Sequence, residues 1–245
     1  MTSVTEHYAN HLAPIYLWMA GGADAALRAG AAEIEELNLP LTAGAVVVDL
    51  GAGFGMHAIP LARKGARVTA IDTSAELLQT LGQLAGELAI KAVNDDLLAF
   101  RSHLTEPPAA ILCMGDTITH LPDRGAVASL IASAAAALPP GGVFVVSFRD
   151  YSVPLVADQR FIPVRSEDDR ILTCFLEYES EALVVHDIVH ERTRDGWQTR
   201  VSHYRKIRLA PNLLSASLGS NGFSVRRETG MRGMVRLVAR KGDTV

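Results

Sequence analysis

The stretch Val46-Val47-Val48-Asp49-Leu50-Gly51-Ala52-Gly53-Phe54-Gly55 combines a short apolar run with three glycines at alternate positions. The β-branched run is typical of a strand that is covered on both faces. A glycine-rich turn between such a strand and a helix lets a ligand lie against bare backbone at the helix N-terminus. The stretch therefore predicts a ligand-binding loop in a parallel α/β sheet, although the same turn can bind a dinucleotide or simply connect two elements.

Acidic residues at the ends of the next predicted strands narrow the choice of ligand. The glycine spacing is G-x-G-x-G, which differs from the G-x-G-x-x-G of dinucleotide-binding turns. Asp72 ends the strand that begins at Arg67, where a carboxylate can accept hydrogen bonds from both hydroxyls of a ribose. Asp96 ends a third strand, within reach of an adenine amine, and Asp95 beside it is interpreted as a solvated neighbour. Two questions stay open, because Asp49 can satisfy loop amides or meet an ammonium through water, and Asp72 can be an ordinary helix cap.

These residues together resemble the motifs of class I S-adenosylmethionine-dependent methyltransferases. Residues 47–55 resemble motif I, Asp72 and Asp96 stand at the second and third motif positions, and the resemblance covers roughly residues 46–149. It implies S-adenosylmethionine as the cofactor, with methionine over the loop, ribose on Asp72, and adenine between Thr73 and Leu97. The residues that it places around the cofactor are Tyr8, Tyr16, Asp49, Gly51, Ala52, Gly53, Asp72, Thr73, Asp96, Leu97 and Met114.

Strands that alternate with helices up to Arg149 indicate a doubly wound, Rossmann-like α/β fold. The resemblance implies seven strands in the sheet, the last of them antiparallel to the rest. Three long strands follow, at 171–178, 182–192 and 199–209, and predict an inserted antiparallel β meander. The predicted organisation is a helical lid over residues 1–40, a cofactor-binding core over 41–150, the β insertion over 151–210, and a helix and strands over 211–245 that complete the core sheet.

The predicted lid is rich in aromatic residues. Residues 7–16 resemble the lid helix of family members that act on small molecules, and Tyr8 and Tyr16 share a helical face that can close over cofactor and acceptor. Plain core packing is the competing interpretation for both. Pro14 is expected to split the segment into two short helices, and Asp24 to cap another helix that runs to about Leu37.

Charge and composition limit the partners. The formal net charge is −4, so the basic field typical of nucleic-acid binding is missing and no nucleic-acid partner is expected. Cys113 and Cys174 lie far apart without metal-ligand spacing, which indicates free thiols in a reducing compartment and no metal. No secretory signal opens the sequence, and no apolar run is long enough to span a bilayer. We expect a cytoplasmic monomer or homodimer without a membrane partner.

The residues Cys113 to Thr117 at the end of the fourth strand are expected to face the transferred methyl group, because ligands bind outside the carboxyl ends of parallel strands. The Asn/Asp-Pro-Pro-aromatic motif of enzymes that methylate exocyclic base amines is absent there, which favours a small-molecule acceptor. The candidates for acceptor binding are Tyr8, Trp18, Asp116, Thr117, Arg149 and Tyr151. Tyr8 and His120 are the candidates for a catalytic role, although His120 can instead serve as a loop or capping residue and Arg149 can form a surface ion pair.

Three segments carry a closer resemblance. Glu6-His7-Tyr8 and residues 16–24 and 53–60 are similar to the azapteridine N-methyltransferases of toxoflavin biosynthesis. This resemblance implies a flat pyrimidotriazine dione as the acceptor, whereas a relative with the same segments could use another small metabolite. The sequence is also compatible with a nicotinamide-dependent dehydrogenase, with a ligand sensor without activity, and with an RNA methyltransferase that uses the arginines of residues 200–208.

Overall fold

The computed structural model describes residues 4–243 and contains seven α-helices and eleven strands within that range. The helices are α1 Val4–His7, α2 Tyr16–Met19, α3 Ala23–Leu37, α4 Ala58–Arg63, α5 Ala75–Ala85, α6 Arg124–Ala137 and α7 Pro211–Ser220. The strands are β1 Val46–Leu50, β2 Arg67–Asp72, β3 Ile90–Asn94, β4 Ala110–Cys113, β5 Val143–Phe148, β6 Phe161–Ser166, β7 Arg170–Tyr178, β8 Ala182–Thr193, β9 Gly196–Ile207, β10 Phe223–Thr229 and β11 Val235–Lys241. None of the helices in residues 4–243 is long and apolar enough to cross a membrane.

The main sheet has seven strands in the order β10-β11-β5-β4-β1-β2-β3. The strands β1 to β5 are parallel, and the final strand β11 runs antiparallel to both of its neighbours. The helices α3, α4 and α5 cover one face, and α6 and α7 cover the other, so both sides of the apolar strands are buried. The predicted doubly wound fold with an antiparallel last strand is confirmed.

The inserted sheet has four antiparallel strands in the order β6-β7-β8-β9, whereas the sequence predicted three. The missing strand is β6, which lies at the edge of the sheet and contains Pro163. The register shifts between Pro163 and Arg165, and the pairing with β7 then continues. Proline is tolerated in an edge strand because no neighbouring strand needs the N–H that proline lacks. The proline in this run is the reason that the sequence did not indicate a strand here.

The N-terminal segment is helical but irregular. After α1 it continues as a π-helical turn at Tyr8–Leu12 and a 3₁₀ turn at Ala13–Ile15, which contains Pro14, before α2 begins. The prediction that Asp24 caps α3 is wrong. Gly22 occupies the cap position with φ +88°, and Asp24 lies in the first turn, where a carboxylate still interacts favourably with the helix dipole.

Two short 3₁₀ helices follow strands of the main sheet and were not predicted. Leu97–His103 follows β3, and Thr117–His120 follows β4. Both begin at the carboxyl edge of the parallel strands, where the glycine loop after β1 also lies. The three connections therefore converge on one edge of the sheet.

Candidate active site

The glycine loop folds back onto the end of β2. The amides of Gly51 and Ala52 both donate to the carbonyl of Ile71, at 2.8 and 3.0 Å. Gly51 adopts φ +71°, and a Cβ atom there would lie 2.4 Å from Cγ2 of Thr117, so only glycine fits between the loop and the residues after β4. Gly53 has φ +52°, but a Cβ atom there would approach only Leu77, at 3.9 Å. The Gly53 side of the loop is therefore open to a ligand.

Asp72 holds the loop in place. Its carboxylate accepts one hydrogen bond from the amide of Gly53 at 2.7 Å and another from the amide of Ser74 at 2.8 Å. Burial raises the pKa of Asp72, and these amide hydrogen bonds oppose the rise. Each carboxylate oxygen has a second acceptor site, so the residue can fasten the backbone and still accept from a ligand hydroxyl.

A cavity of about 220 Å³ opens beside the loop. Ten of the eleven residues predicted to surround the cofactor line it, and Asp49 is the exception. The cavity wall also contains residues that were not predicted to bind a ligand, among them Met56, His57, Leu77, Leu121 and Pro122. These are mostly apolar residues of helices and loops, and no spacing rule in the sequence marks them as cavity residues.

Asp49 lies beneath the loop rather than in the cavity wall. The side chain is almost fully buried, one oxygen accepts from the amide of Ala58, and Oδ2 has no partner among the described residues. Burial raises the pKa of Asp49 to about 6, and the neighbouring His57 opposes the rise. His57 in turn lies 3.0 Å from Glu33 across a buried contact. Asp49 therefore contacts the first amide of α4, and its other predicted role, a contact with an ammonium through water, stays a prediction.

Asp95 and Asp96 both line the cavity but have different partners. Asp96 accepts from the amide of Leu98 at 2.8 Å and so caps the 3₁₀ helix after β3. Asp95 accepts from Nε2 of His103 at 2.7 Å, which lowers the pKa of the Asp95 carboxyl. Asp95, which was predicted to be a solvated neighbour, is therefore paired with a histidine while its side chain stays 40% exposed.

Aromatic rings form one wall of the cavity. The ring centroids of Tyr8 and Tyr16 are 6.0 Å apart, and Tyr8 meets His120 edge to face at 5.5 Å. His120 stacks on Tyr204 of β9 at 5.4 Å with an interplanar angle of 8°. Burial raises the pKa of both Tyr8 and Tyr16, so their hydroxyls stay neutral around pH 7.

The lid is joined to the inserted sheet through a buried polar cluster. His7 lies 2.8 Å from Asp187 through Nε2 and 2.8 Å from Ser202 through Nδ1. His11, one turn further on, meets the backbone carbonyl of Asp187 at 3.0 Å, and the thiol of Cys174 donates to Oδ1 of Asp187. The spacing of His7 and His11 was the available signal in the sequence, but nothing local indicated their partner 180 residues away.

The predicted acceptor residues divide into two groups. Thr117 lines the cavity and donates from Oγ1 to the carbonyl of Met114. Asp116 is buried outside the cavity lining, where it accepts from the amide of Arg149, the hydroxyl of Tyr151 and the ammonium of Lys206. These contacts tie the ends of β4, β5 and β9 together.

Trp18 and Arg149 lie away from the cavity. The indole of Trp18 donates to Glu167 at 2.7 Å, and the guanidinium groups of Arg165 and Arg170 lie 5.6 and 5.1 Å from the centre of its ring. The side chain of Arg149 is exposed. His120, by contrast, lines the cavity, and its Nδ1 is buried without a partner among the described residues. Burial lowers the pKa of His120 well below its ordinary value.

Residues 47–142 match the model of a family described as a methyltransferase domain. The ubiquinone biosynthesis O-methyltransferase of Xylella fastidiosa (strain 9a5c) is 39% identical over 113 residues, which cover 45% of this chain and 44% of the relative. The alignment thus spans less than half of either protein.

Two solved structures are similar over almost the whole chain. The CcbJ methyltransferase from Streptomyces caelestis has a TM-score of 0.78 at 20% identity and covers 97% of this chain and 98% of its own. A SAM-bound structure of CalS10, an amino pentose methyltransferase from Micromonospora echinaspora, has a TM-score of 0.69 at 18% identity, with 93% and 95% covered. These likenesses show the fold. The methyltransferase-domain match over residues 47–142 lies within this fold and covers the glycine loop and the strands β1 to β4.

Proposed function

We propose that this chain is an S-adenosylmethionine-dependent methyltransferase that methylates a nitrogen atom of a small planar heterocycle. One observation carries the proposal. A single cavity joins the glycine loop and the acidic strand ends to the residues after β4 and to the tyrosines of the lid. Cofactor and acceptor can therefore meet at this cavity.

The residues of the cavity fit the cofactor. The open side of Gly53 leaves room for the methionine portion against bare backbone, since a side chain there would project into otherwise empty space. Asp72 keeps acceptor sites for the ribose hydroxyls, and Asp96 reaches the cavity where an adenine amine would lie. Thr73 and Leu97 line the cavity beside these two residues and would hold the flat ring between them.

S-adenosylmethionine, when bound, supplies a methyl group on a positively charged sulfur, which is already activated for transfer. The chain then has to align the acceptor and exclude water. Tyr8 and His120 meet at the cavity wall, and burial favours the neutral form of both side chains. His120 is a weak base in this setting, because its charged form is disfavoured by burial and by the nearby ammonium of Lys206. We therefore assign both residues to orientation of the acceptor rather than to proton transfer.

An azapteridine, a pyrimidotriazine dione of the toxoflavin type, is the acceptor that we propose. The support is the resemblance of Glu6-His7-Tyr8 and of residues 16–24 and 53–60, together with the aromatic wall beside the cofactor cavity. Another small metabolite is the competing acceptor, in line with a relative named for ubiquinone biosynthesis and a solved neighbour that is an amino pentose methyltransferase.

An RNA acceptor is disfavoured by the arginines of β9 and the residue that follows it. Arg200 pairs with Glu191 and Arg205 with Glu179, while Arg208 donates to backbone carbonyls of neighbouring loops. These guanidinium groups are engaged within the chain. The net charge of −4 adds no attraction for phosphates.

Mass spectrometry of reactions with S-adenosylmethionine and a panel of N-heterocycles tests the proposal. We expect a gain of one methyl group or more on an azapteridine and none on uncharged sugars. Calorimetry should show binding of S-adenosylhomocysteine and no binding of NAD, which separates the proposal from a dehydrogenase. Cofactor binding without methylation of any compound would instead favour a ligand sensor. A cytoplasmic location and a monomer or homodimer stay predictions.

A further inference from the structure

A second cavity of about 220 Å³ adjoins the cofactor cavity on the far side of His120. The two cavities share Val4, His120, Leu121 and Pro122 in their linings, so a ligand in one lies next to a ligand in the other. The second cavity lies between the loop after β4 and the strands β8 and β9 of the inserted sheet.

The lining of the second cavity combines apolar residues with three residues that carry polar side chains. The apolar part consists of side chains such as Leu121, Pro122, Ala182 and Ile207. The polar side chains in the described lining are His120, Arg205 and Lys206, and no carboxylate is among them. A ligand therefore meets hydrogen-bond donors on an otherwise apolar surface.

The nearby carboxylates are already engaged. Asp116 lies behind Lys206 and accepts from its ammonium, and Glu179 pairs with Arg205 at the rim. A guanidinium has five donors, so Arg205, which uses Nε and Nη2 on Glu179, can donate to a ligand while it keeps that pair. A positively charged amine in this cavity would lie beside Arg205 and Lys206, and no described residue of the lining carries a carboxylate to balance it, which is unfavourable.

We propose that this second cavity is the acceptor subsite and that it selects uncharged or anionic acceptors with a ring carbonyl oxygen that faces the guanidinium of Arg205. His120 then lies between the two subsites, where it can meet the atom next to the methyl donor. The inference rests on the proposed function and deepens it. It places amino sugars outside the substrate range, because a protonated amine finds no counter-ion here.

Calorimetry with two commercial probes tests the subsite. Pteridine-2,4-dione presents ring carbonyls, whereas glucosamine presents a protonated amine on a single ring. We expect the dione to bind in the presence of S-adenosylhomocysteine, and glucosamine to bind at least tenfold more weakly. Arg205→Gln should weaken dione binding about tenfold, whereas Arg226→Gln, which removes an exposed arginine paired with Glu228 on the other sheet, should leave it unchanged.

A second variant tests whether the dione needs the space of the second cavity, whereas Arg205→Gln tests the contribution of the positive charge. Ala182 is buried at the second cavity and does not line the first, so Ala182→Leu should abolish dione binding and keep the affinity for S-adenosylhomocysteine. Preference for glucosamine, failure of the dione to bind, or unchanged dione affinity in Arg205→Gln would overturn the subsite assignment. Those outcomes leave cofactor binding intact, whereas loss of S-adenosylhomocysteine binding by the wild-type protein would refute the proposed function itself.

Discussion

Replacing Asp72 by alanine tests the cofactor site most directly. The side chain fastens the glycine loop through Gly53 and faces the cavity where a ribose would lie. A hydrogen bond to a charged group contributes about 1.5–3 kcal/mol, and every 1.4 kcal/mol is about tenfold in affinity. We therefore expect Asp72→Ala to weaken S-adenosylhomocysteine binding about ten- to a hundredfold in isothermal titration calorimetry.

The same substitution also frees two backbone amides, so the loss of stability has to be separated from the loss of binding. Asp123 provides the control, because its carboxylate caps α6 by accepting from the amide of Ala126 at 2.8 Å, outside the cavity lining. Asp123→Ala should cost about 1 kcal/mol of the free energy of unfolding, as the loss of a helix cap does, and leave cofactor affinity unchanged. Asp72→Asn keeps one acceptor oxygen and should bind with intermediate affinity.

The expected result depends on direct contact between Asp72 and the ligand. If folded Asp72→Ala binds S-adenosylhomocysteine within threefold of the wild-type affinity, the carboxylate only fastens the loop. The ribose would then have to be held by other groups.

Three further predictions address the loop, its buried support and the lid. Gly53→Ala should abolish S-adenosylhomocysteine binding in calorimetry, whereas Gly86→Ala, which imposes a similar φ of +57° in open space, should lower only the free energy of unfolding. Asp49 has a pKa of about 6 when folded against an ordinary 3.8, so its contribution to stability is present below about pH 4 and is lost as the pH rises through 6. Asp49→Asn, which stays neutral, should gain about 2–3 kcal/mol over the wild type in urea unfolding at about pH 7 and nothing at about pH 4. Tyr8→Ala should lower turnover by an order of magnitude, whereas Tyr8→Phe should keep most of the activity, because the ring of Tyr8 positions the acceptor through its contacts with Tyr16 and His120. Full activity of the alanine variant would contradict this role.

That the glycine loop and the acidic strand ends lie at one cavity could be predicted from the sequence, because the signals for these residues are local. The strand before Gly51 is apolar apart from Asp49, Asp72 ends a recognisable strand, and Asp96 follows another. In a parallel sheet the carboxyl ends of neighbouring strands meet at one edge, so residues far apart in sequence come together by a general rule. This rule does not predict the position of the Asp49 side chain. Whether that side chain lies in the cavity or beneath the loop depends on how the chain turns after β1.

The acceptor half depends on pairings that no local pattern reveals. Lys206 reaches Asp116 across 90 positions, and His7 reaches Asp187 across 180. Both pairings follow from the register of β8 and β9, and a shift of one residue would turn these side chains to the opposite face of the sheet. The sequence indicated strands in this region but not which of their faces would meet the lid.

The two halves of the site come from different parts of the chain, and this separates acceptor choice from cofactor binding. The cofactor cavity is built mainly from the ends of main-sheet strands, whereas the second cavity takes Arg205, Lys206 and Ile207 from β9 of the insertion. Substitutions on β9 can therefore alter the acceptor while the glycine loop remains as it is. Lys206 is the exception, because its loss would leave the buried carboxylate of Asp116 without its cation and would destabilise the junction of β4, β5 and β9. Substitutions at Arg205 and Ala182 are thus expected to change the range of acceptors, because both residues line the second cavity and neither forms a buried ion pair.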